Sequence, residues 1–339
     1  MTFKPENIFY LTGFWGEGTT IIDDEKTILY VPKLEYPRAE KHSKNCEVIA
    51  TERGLDMIDS ISSELRNKIT YVNSNDYSTI IKLVSNLGEK NIIVGEKPFL
   101  DTRVIKDHIE IEQISCAAKI VDKLFEICID EIKQGVTEEY LQSKLIFEGL
   151  KMGATIPSYS STRNPLIIAG GPNGALPHAD ISKREFVKGD FIVVDITLQY
   201  NGYVADATRT FGLGNISNEQ KKVYEIVKES QEEGLLGTKN ETKTGRVDEI
   251  CRNKITENGY GENFIHSTGH GIGLEIHEPP WLRSGSEQIL YNKMAITIEP
   301  GIYLESKFGV RIEDSILIDS QNNNNIFNFN KFDKELITI

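Results

Sequence analysis

The 339-residue chain has little cysteine, little positive charge and no long apolar run, and each shortage removes a class of protein. Its four cysteines, Cys46, Cys116, Cys128 and Cys251, form no C-x-x-C pair. That excludes a disulfide framework or a zinc knuckle and points to buried thiols in a reducing compartment. Lys and Arg total 38 against 51 Asp and Glu, for a net charge of −13. Such a chain is a poor match for nucleic acid or an anionic membrane by general electrostatics. No apolar stretch approaches the ~18 residues of a membrane-spanning helix. The opening residues Met1-Thr2-Phe3-Lys4-Pro5-Glu6 lack the charged-then-apolar order of a signal peptide. A cytoplasmic protein with neither nucleic-acid nor membrane partners is expected. With 39 % hydrophobic and 26 % charged residues, the composition is that of a globular protein long enough for two domains.

Residues 1 to about 110 read as a small α/β domain. Ile8 to Leu11, Thr27 to Val31 and Asn91 to Val94 are short, β-rich and bounded by turn residues, which predicts strands. Leu55 to Lys68 and Asp76 to Leu87 carry apolar residues at helical spacing. A long amphipathic helix is predicted over Glu112 to Lys133, ended by Gly135, with another through about Lys151. The domain boundary is placed near residue 110, giving domains 1–110 and 111–339. In the second domain, Ser217-Asn218-Glu219-Gln220 is a capping-box pattern that opens a helix to about Leu236. Another helix is expected from about Val247 to Asn258. Asn322 to Asn325 reads as an exposed turn between strands.

The segment Phe191 to Phe211 is the most informative. Asn201-Gly202 between two β-rich runs predicts a two-residue hairpin turn, because both central residues must tolerate positive φ. Tyr200 then pairs with Tyr203, Asp195 with Thr208 and Thr197 with Asp206. The two-residue side-chain alternation puts Asp195, Thr197, Asp206 and Thr208 on one face. The aspartates become diagonal neighbours at roughly 7–8 Å, within reach of a common ion. Alone, the hairpin is better accounted for by a polar face that simply meets water.

His266, His270 and His277 lie in HSTGHGIGLEIHE, whose glycines argue against a helix and for a tight turn leading into a short strand. Glu299 is expected at a strand end before Pro300-Gly301. Glu313 is expected inside a strand over Val310 to Ile318, with Arg311 on the same face. An Arg–Glu ion pair on a sheet surface is the plain alternative there. Four carboxylates and one imidazole on strands and adjacent turns suit Mn²⁺, Co²⁺ or Zn²⁺, and two such ions close together can activate water and polarise a carbonyl.

The order Asp195, Asp206, His270, Glu299, Glu313, with the strings YNGYVADATRT, HSTGHGIGLEIHE, ITIEPGIY and GVRIEDS, resembles the pita-bread metallopeptidases. It is most similar to archaeal prolidases and the related aminopeptidase P enzymes. IFYLTGF and LYVPKLEY extend the resemblance to the N-terminal domain. It implies a creatinase/prolidase-type α/β N-terminal domain and an α+β C-terminal domain with a curved antiparallel sheet. It also implies hydrolysis of the peptide bond before proline, in Xaa-Pro dipeptides or at the N-terminus of short peptides. Two divalent ions are implied, Mn²⁺ or Co²⁺ first and Zn²⁺ as the alternative. Asp195 would bind one, His270 and Glu299 the other, and Asp206 and Glu313 both. A bridging water or hydroxide would attack the carbonyl, with Glu299 as general base. His178 would contact substrate and carry protons, and His277 would polarise the scissile carbonyl. His266 and Arg311 would support the ligands or touch substrate. Members are often homodimers.

The chain departs from the family pattern in four places. Asp195-Ile196-Thr197 replaces Asp-x-Gly, and Ala205 stands where Ser often precedes the second aspartate. The run Pro157 to Gly171 is longer than usual, and Trp281 stands where some prolidases have Arg. The resemblance thus leaves dipeptides and longer peptides both open. A metal-free binding module or a creatinase-like amidinohydrolase on the same fold would be other uses, both disfavoured by the complete ligand set. A methionine aminopeptidase is disfavoured by the extra N-terminal domain.

Overall fold

The computed structural model describes residues 1–157, 166–322 and 325–339. Part of the Pro157 to Gly171 run and the middle of the Asn322 to Asn325 turn lie outside the described residues. Two compact units meet between Thr102 and Arg103, a few residues earlier than expected.

The first unit opens with helix α1 (Pro5–Thr12), followed by strands β1 (Thr19–Ile22) and β2 (Thr27–Pro32), helix α2 (Tyr36–His42) and strand β3 (Glu47–Thr51). Helix α3 (Leu55–Ser62), strand β4 (Thr70–Val72), helix α4 (Tyr77–Leu87) and strand β5 (Ile92–Val94) follow. β1 runs antiparallel to β2, β2 parallel to β3, and β4 parallel to β5. Ile8 to Leu11, expected as a strand, lies in α1. Pro5 opens that helix, and Gly13 closes it at φ 73°, donating its N–H to the Phe9 carbonyl. These terminal signals outweigh the β propensity of the residues between them. α3 stops at Ser62 rather than Lys68, although Leu65 is still buried against Met57, Ile58 and Ile61.

The second unit begins at the C-terminal residue of α5 (Lys97–Arg103) and continues into α6 (His108–Glu131). α6 starts earlier than predicted because Asp107 and Glu110 form a capping box. Helix α7 (Glu138–Lys151) leads to the three-stranded sheet of β6 (Leu166–Gly170), β7 (Phe191–Tyr200) and β8 (Tyr203–Gly212), across which α6 packs. Helices α8 (Asn218–Gly237) and α9 (Thr244–Glu257) come next. The predicted capping box at Ser217 and Gln220 is present. Strands β9 (Gly269–Gly271), β10 (Glu278–Leu282), β11 (Ala295–Ile298), β12 (Gly301–Leu304), β13 (Phe308–Arg311), β14 (Asp314–Ile318) and β15 (Ile326–Asn328) complete the unit. They form an antiparallel sheet in the order β10-β9-β11-β14-β15 and a separate β12-β13 hairpin.

One core joins the α8 and α9 residues Val223, Val227, Val247, Cys251 and Ile255 to Ile296, Ile298, Ile316 and Ile318 of the sheet. Their burial holds β11 and β14 in register, at roughly 1.5–3 kcal/mol per fully buried aliphatic side chain. The C-terminal segment is tied to the β7–β8 hairpin. Gly212 donates to the Ile337 carbonyl at 2.9 Å and accepts from the Ile339 N–H at 2.9 Å. Arg209 donates to the carbonyls of Phe332 and Asp333. All four cysteines are unpaired, but Cys46 and Cys116 are only partly buried. Among the described residues no helix is long and apolar enough to cross a membrane.

Candidate active site

The β7–β8 hairpin turns as its sequence requires, with Asn201 at φ 48° and Gly202 at φ 87°. Its register pairs Asp195 with Thr208 and Thr197 with Asp206. The acidic face does not meet water. Thr197, Asp206 and Thr208 are buried, and only Asp195 keeps partial exposure. The covering element is the chain between β13 and β14. The strand expected over Val310 to Ile318 breaks at Ile312-Glu313, where Glu313 forms an isolated bridge to Thr208. Beyond the break, Ser315 Oγ donates to the Asp206 carbonyl at 2.7 Å and accepts the Asp206 N–H at 3.0 Å. The break turns Glu313 toward the hairpin while β14 stays in the larger sheet.

His270 sits at the centre of β9 between two glycines that allow close approach. A Cβ on Gly269 would lie 2.1 Å from the Thr297 carbonyl oxygen, and one on Gly271 would lie 2.2 Å from that of Pro279. The His270 ring is thereby seated against β11. Its Nδ1 lies 3.0 Å from the Gly271 carbonyl and its Nε2 lies 3.2 Å from Glu299 Oε1. The carbonyl can only accept, so Nδ1 carries a proton, and Nε2 is the atom that donates to Glu299 or, once deprotonated, can bind a cation. Burial would lower the ring, but Glu299 outweighs it and holds it above its ordinary value. Glu299 follows β11 directly and is fixed by its N–H to the Thr268 carbonyl at 2.7 Å.

Asp206, His270 and Glu313 each offer a ligand atom, all within 4.8 Å of one another, and all three residues are buried. Glu299 joins through His270, and Asp195 lies close enough that its charge acts on Asp206. Burial, then the Asp195 charge, pushes the Asp206 carboxyl well above its usual range. Burial, then Asp206, does the same to Glu313. Burial would also raise Glu299, but the hydrogen bond from His270 overrides it and holds that carboxyl at about 2. Glu313 Oε1 is buried and has no hydrogen-bond partner among the described residues. A buried acidic cluster with an orphaned oxygen lacks compensating positive charge. Oxygen donors with one imidazole fit a borderline divalent cation.

The alternative of an Arg311–Glu313 ion pair is not what forms: Arg311 pairs with Asp195, and its charge reaches Glu313 without overcoming the burial that raises that carboxyl. Arg311 Nη2 donates to Asp195 Oδ2 at 2.5 Å, Nη1 to the Tyr303 hydroxyl at 2.7 Å and Nε to Thr208 Oγ1 at 3.1 Å. Tyr303 passes the chain on to His266 Nε2 at 2.8 Å, while His266 Nδ1 faces the Ser267 carbonyl at 2.8 Å. The donor order therefore runs from Arg311 through Tyr303 to a neutral His266. Burial lowers His266 to about 4. His277 packs edge-on against His270 with centroids 4.2 Å apart, and burial, then His270, lowers it to about 3. Trp281 stacks on His277 at 6.4 Å with 20° between planes. His178 is exposed, but its charge reaches His266 and His277, and the preceding Pro177 carbonyl accepts from Arg311.

Residues 112–320 match the model of metallopeptidase family M24, and residues 1–105 match the creatinase/prolidase N-terminal domain. The chain belongs to metallopeptidase family M24. This M24 chain is 38 % identical to a Xaa-Pro dipeptidase of Pyrococcus furiosus, over 93 % of its own length and 89 % of the relative's. Among solved structures it resembles the prolidase from Pyrococcus horikoshii OT3, with TM-score 0.91, 36 % identity, and 99 % and 94 % of the two chains covered. It also resembles an X-Pro aminopeptidase from Thermotoga maritima MSB8, with TM-score 0.86, 30 % identity, and 99 % and 94 % covered. The paired α/β and α+β domains are those of the pita-bread fold.

Several supports of this M24 site were not singled out from sequence. Arg209 donates to Asp314 Oδ1 at 2.7 Å and to the Glu313 carbonyl at 2.6 Å, fixing the break that presents Glu313. Glu278, next to His277, is buried with Arg103 and Lys106. Tyr303 lies in the quoted string ITIEPGIY, but nothing local marks its partners. The Arg209 and Glu278 contacts join residues far apart in sequence, and the available signal was only a charged residue inside an apolar run.

Proposed function

We propose that this protein is a metal-dependent exopeptidase that hydrolyses the peptide bond preceding proline, with Asp195, Asp206, His270, Glu299 and Glu313 holding two divalent cations. The observation that carries the reading is the buried trio Asp206, His270 and Glu313 with its orphaned Glu313 oxygen. A metal-free binding module on this fold would leave that oxygen and the repelling carboxylates uncompensated. The relatives named as a Xaa-Pro dipeptidase and an X-Pro aminopeptidase supply the substrate class.

Bound divalent ions polarise a carbonyl and lower the pKa of water so that it is a nucleophile at neutral pH. The residues do the rest. Glu299, beside His270 at the end of β11, stands where it could take a proton from the attacking water. His277 is neutral at physiological pH and offers an N–H to the scissile carbonyl oxygen without adding charge. Exposed His178 is read as a substrate contact at the edge of the site. Arg311 holds Asp195 in place, and Tyr303 aligns Arg311 with His266. Trp281 forms an apolar wall beside His277. Mn²⁺ or Co²⁺ is the expected ion, with Zn²⁺ as the alternative. The working form is read as a cytoplasmic homodimer, checked by light scattering and cell fractionation.

The test is release of the N-terminal residue from Xaa-Pro, Xaa-Pro-Yaa and longer peptides after chelator stripping and reloading with each ion. Cleavage before proline that depends on the added ion is expected. No release from any of these peptides with any ion would overturn the reading. The length series decides between dipeptides and longer substrates.

A further inference from the structure

Each of three carboxylates in the site receives one threonine hydroxyl, and each threonine comes from a different strand. Thr197 of β7 donates to Asp206 Oδ1 at 2.8 Å. Thr208 of β8 donates to Glu313 Oε2 at 2.7 Å. Thr297 of β11 donates to Glu299 Oε1 at 3.2 Å. All three threonines are buried.

The direction of two of these bonds is fixed by what else the hydroxyl touches. Arg311 Nε lies 3.1 Å from Thr208 Oγ1, and a guanidinium can only donate. The Thr208 oxygen therefore accepts from Arg311, and its single proton points at Glu313. The backbone N–H of His270 donates to Thr297 Oγ1 at 3.1 Å, which commits the Thr297 proton to Glu299 in the same way. Thr197 Oγ1 donates to Asp206 Oδ1, a carboxyl oxygen that can accept its proton.

A hydroxyl proton held on one carboxylate oxygen leaves the other for a cation. On Glu313 the remaining oxygen is Oε1, the buried atom without a hydrogen-bond partner among the described residues. We propose that Thr197, Thr208 and Thr297 are positioning residues that fix the carboxylates of Asp206, Glu313 and Glu299 in the orientation that presents them to the cations. The β-branch restricts each hydroxyl to few rotamers, so the donors are aimed before an ion arrives. Arg311 and the His270 amide, by occupying the lone pairs, lock two of them. This inference rests on the reading of the site as a metal centre.

The experiment titrates the metal-free full chain with Mn²⁺ by calorimetry, for wild type, T197V, T208V and T297V and for the serine counterparts T197S, T208S and T297S. Thermal midpoints of the metal-free proteins are recorded alongside. Each valine variant is expected to lose about 10–100-fold in Mn²⁺ affinity, the usual cost of removing a group that orients a ligand. The T197V midpoint should stay near that of wild type. Each serine variant, which keeps the donor, should recover most of the affinity. T208V also strips an acceptor from Arg311 and T297V strips one from the His270 amide, so T197V carries the test if those two do not fold. Valine variants that bind Mn²⁺ as wild type does would overturn the proposal alone. Wild-type protein that takes up no Mn²⁺, Co²⁺ or Zn²⁺ would overturn the metal reading and this proposal with it.

Discussion

Replacing Glu278 with Ala should destabilise the second unit more than any change at the exposed surface. The Glu278 carboxylate is 2 % exposed and receives both Arg103 and Lys106, the latter at 2.5 Å. Lys106 also donates to the Arg103 carbonyl at 2.6 Å, and Arg103 reaches Glu275 at 2.9 Å. Removing the anion leaves two buried cations facing each other. Breaking a buried pair in this way costs about 3–5 kcal/mol, a fall of roughly 6–20 °C in unfolding midpoint for a unit of this size. Glu278→Gln keeps the shape and one acceptor and should cost about half as much.

The pH dependence gives a second reading of the same interaction. Burial would raise the Glu278 carboxyl, but Lys106 and Arg103 outweigh it and hold it below 4.5. Its stabilisation is therefore fully present above the unfolded-state value and is lost as pH falls through the lower folded value. The gap between wild type and Glu278→Gln should be constant near neutrality and shrink below about pH 4.5. The chain has two tryptophans, so a Trp15→Phe background leaves Trp281, three residues from Glu278, as the fluorescent reporter. A midpoint for Glu278→Ala within about 2 °C of wild type, or a gap that does not change with acid, would refute the reasoning.

Three further outcomes follow from the same geometry. Asp206→Asn should raise the melting midpoint of the metal-free protein at neutral pH, because Asp206 and its acidic neighbours destabilise the fold when ionised, and should abolish the further rise that Mn²⁺ gives wild type. An unchanged Mn²⁺ effect in scanning calorimetry would count against Asp206 as a ligand. Gly269→Ala drives a Cβ to 2.1 Å from the Thr297 carbonyl and should cost ~3 kcal/mol or more, read by urea unfolding. Gly202→Ala at φ 87° should cost only about 1 kcal/mol and leave peptide cleavage intact, since the register of the hairpin pairs beyond the turn holds Asp206 and Asp195 in place.

What could be read ahead of the structure was what local chemistry determines. Asn201-Gly202 set the hairpin register, and through it the facing of Asp195 and Asp206, because the turn type and the two-residue period leave no freedom. The ligand order was legible as a family resemblance, and it led to the right fold. The burial of the hairpin's acidic face was not legible, because it depends on Glu313 arriving from residues more than a hundred positions away. Nor was the break at Ile312-Glu313. An uninterrupted β-rich run gives no sign that Arg209 will hold the Glu313 carbonyl from the side. Ile8 to Leu11 misled for the opposite reason, since the helix is decided at Pro5 and Gly13 rather than within it. Thr197 was legible as the hairpin partner of Asp206 and as a departure from Asp-x-Gly, and its contact with Asp206 gives that departure a physical use.

The ties between the hairpin and residues 332–339 carry one more implication. Arg209 grips the Phe332 and Asp333 carbonyls with the same guanidinium that braces Glu313 and Asp314, and the final residues zip along Gly212 and Gly214. Proteolytic trimming of this tail would strip Arg209 of two acceptors and loosen the brace behind Glu313, although the tail holds none of the five proposed ligands. Integrity of the tail, checked by intact mass, is thus a sensible criterion for a preparation before its metal content or turnover is interpreted.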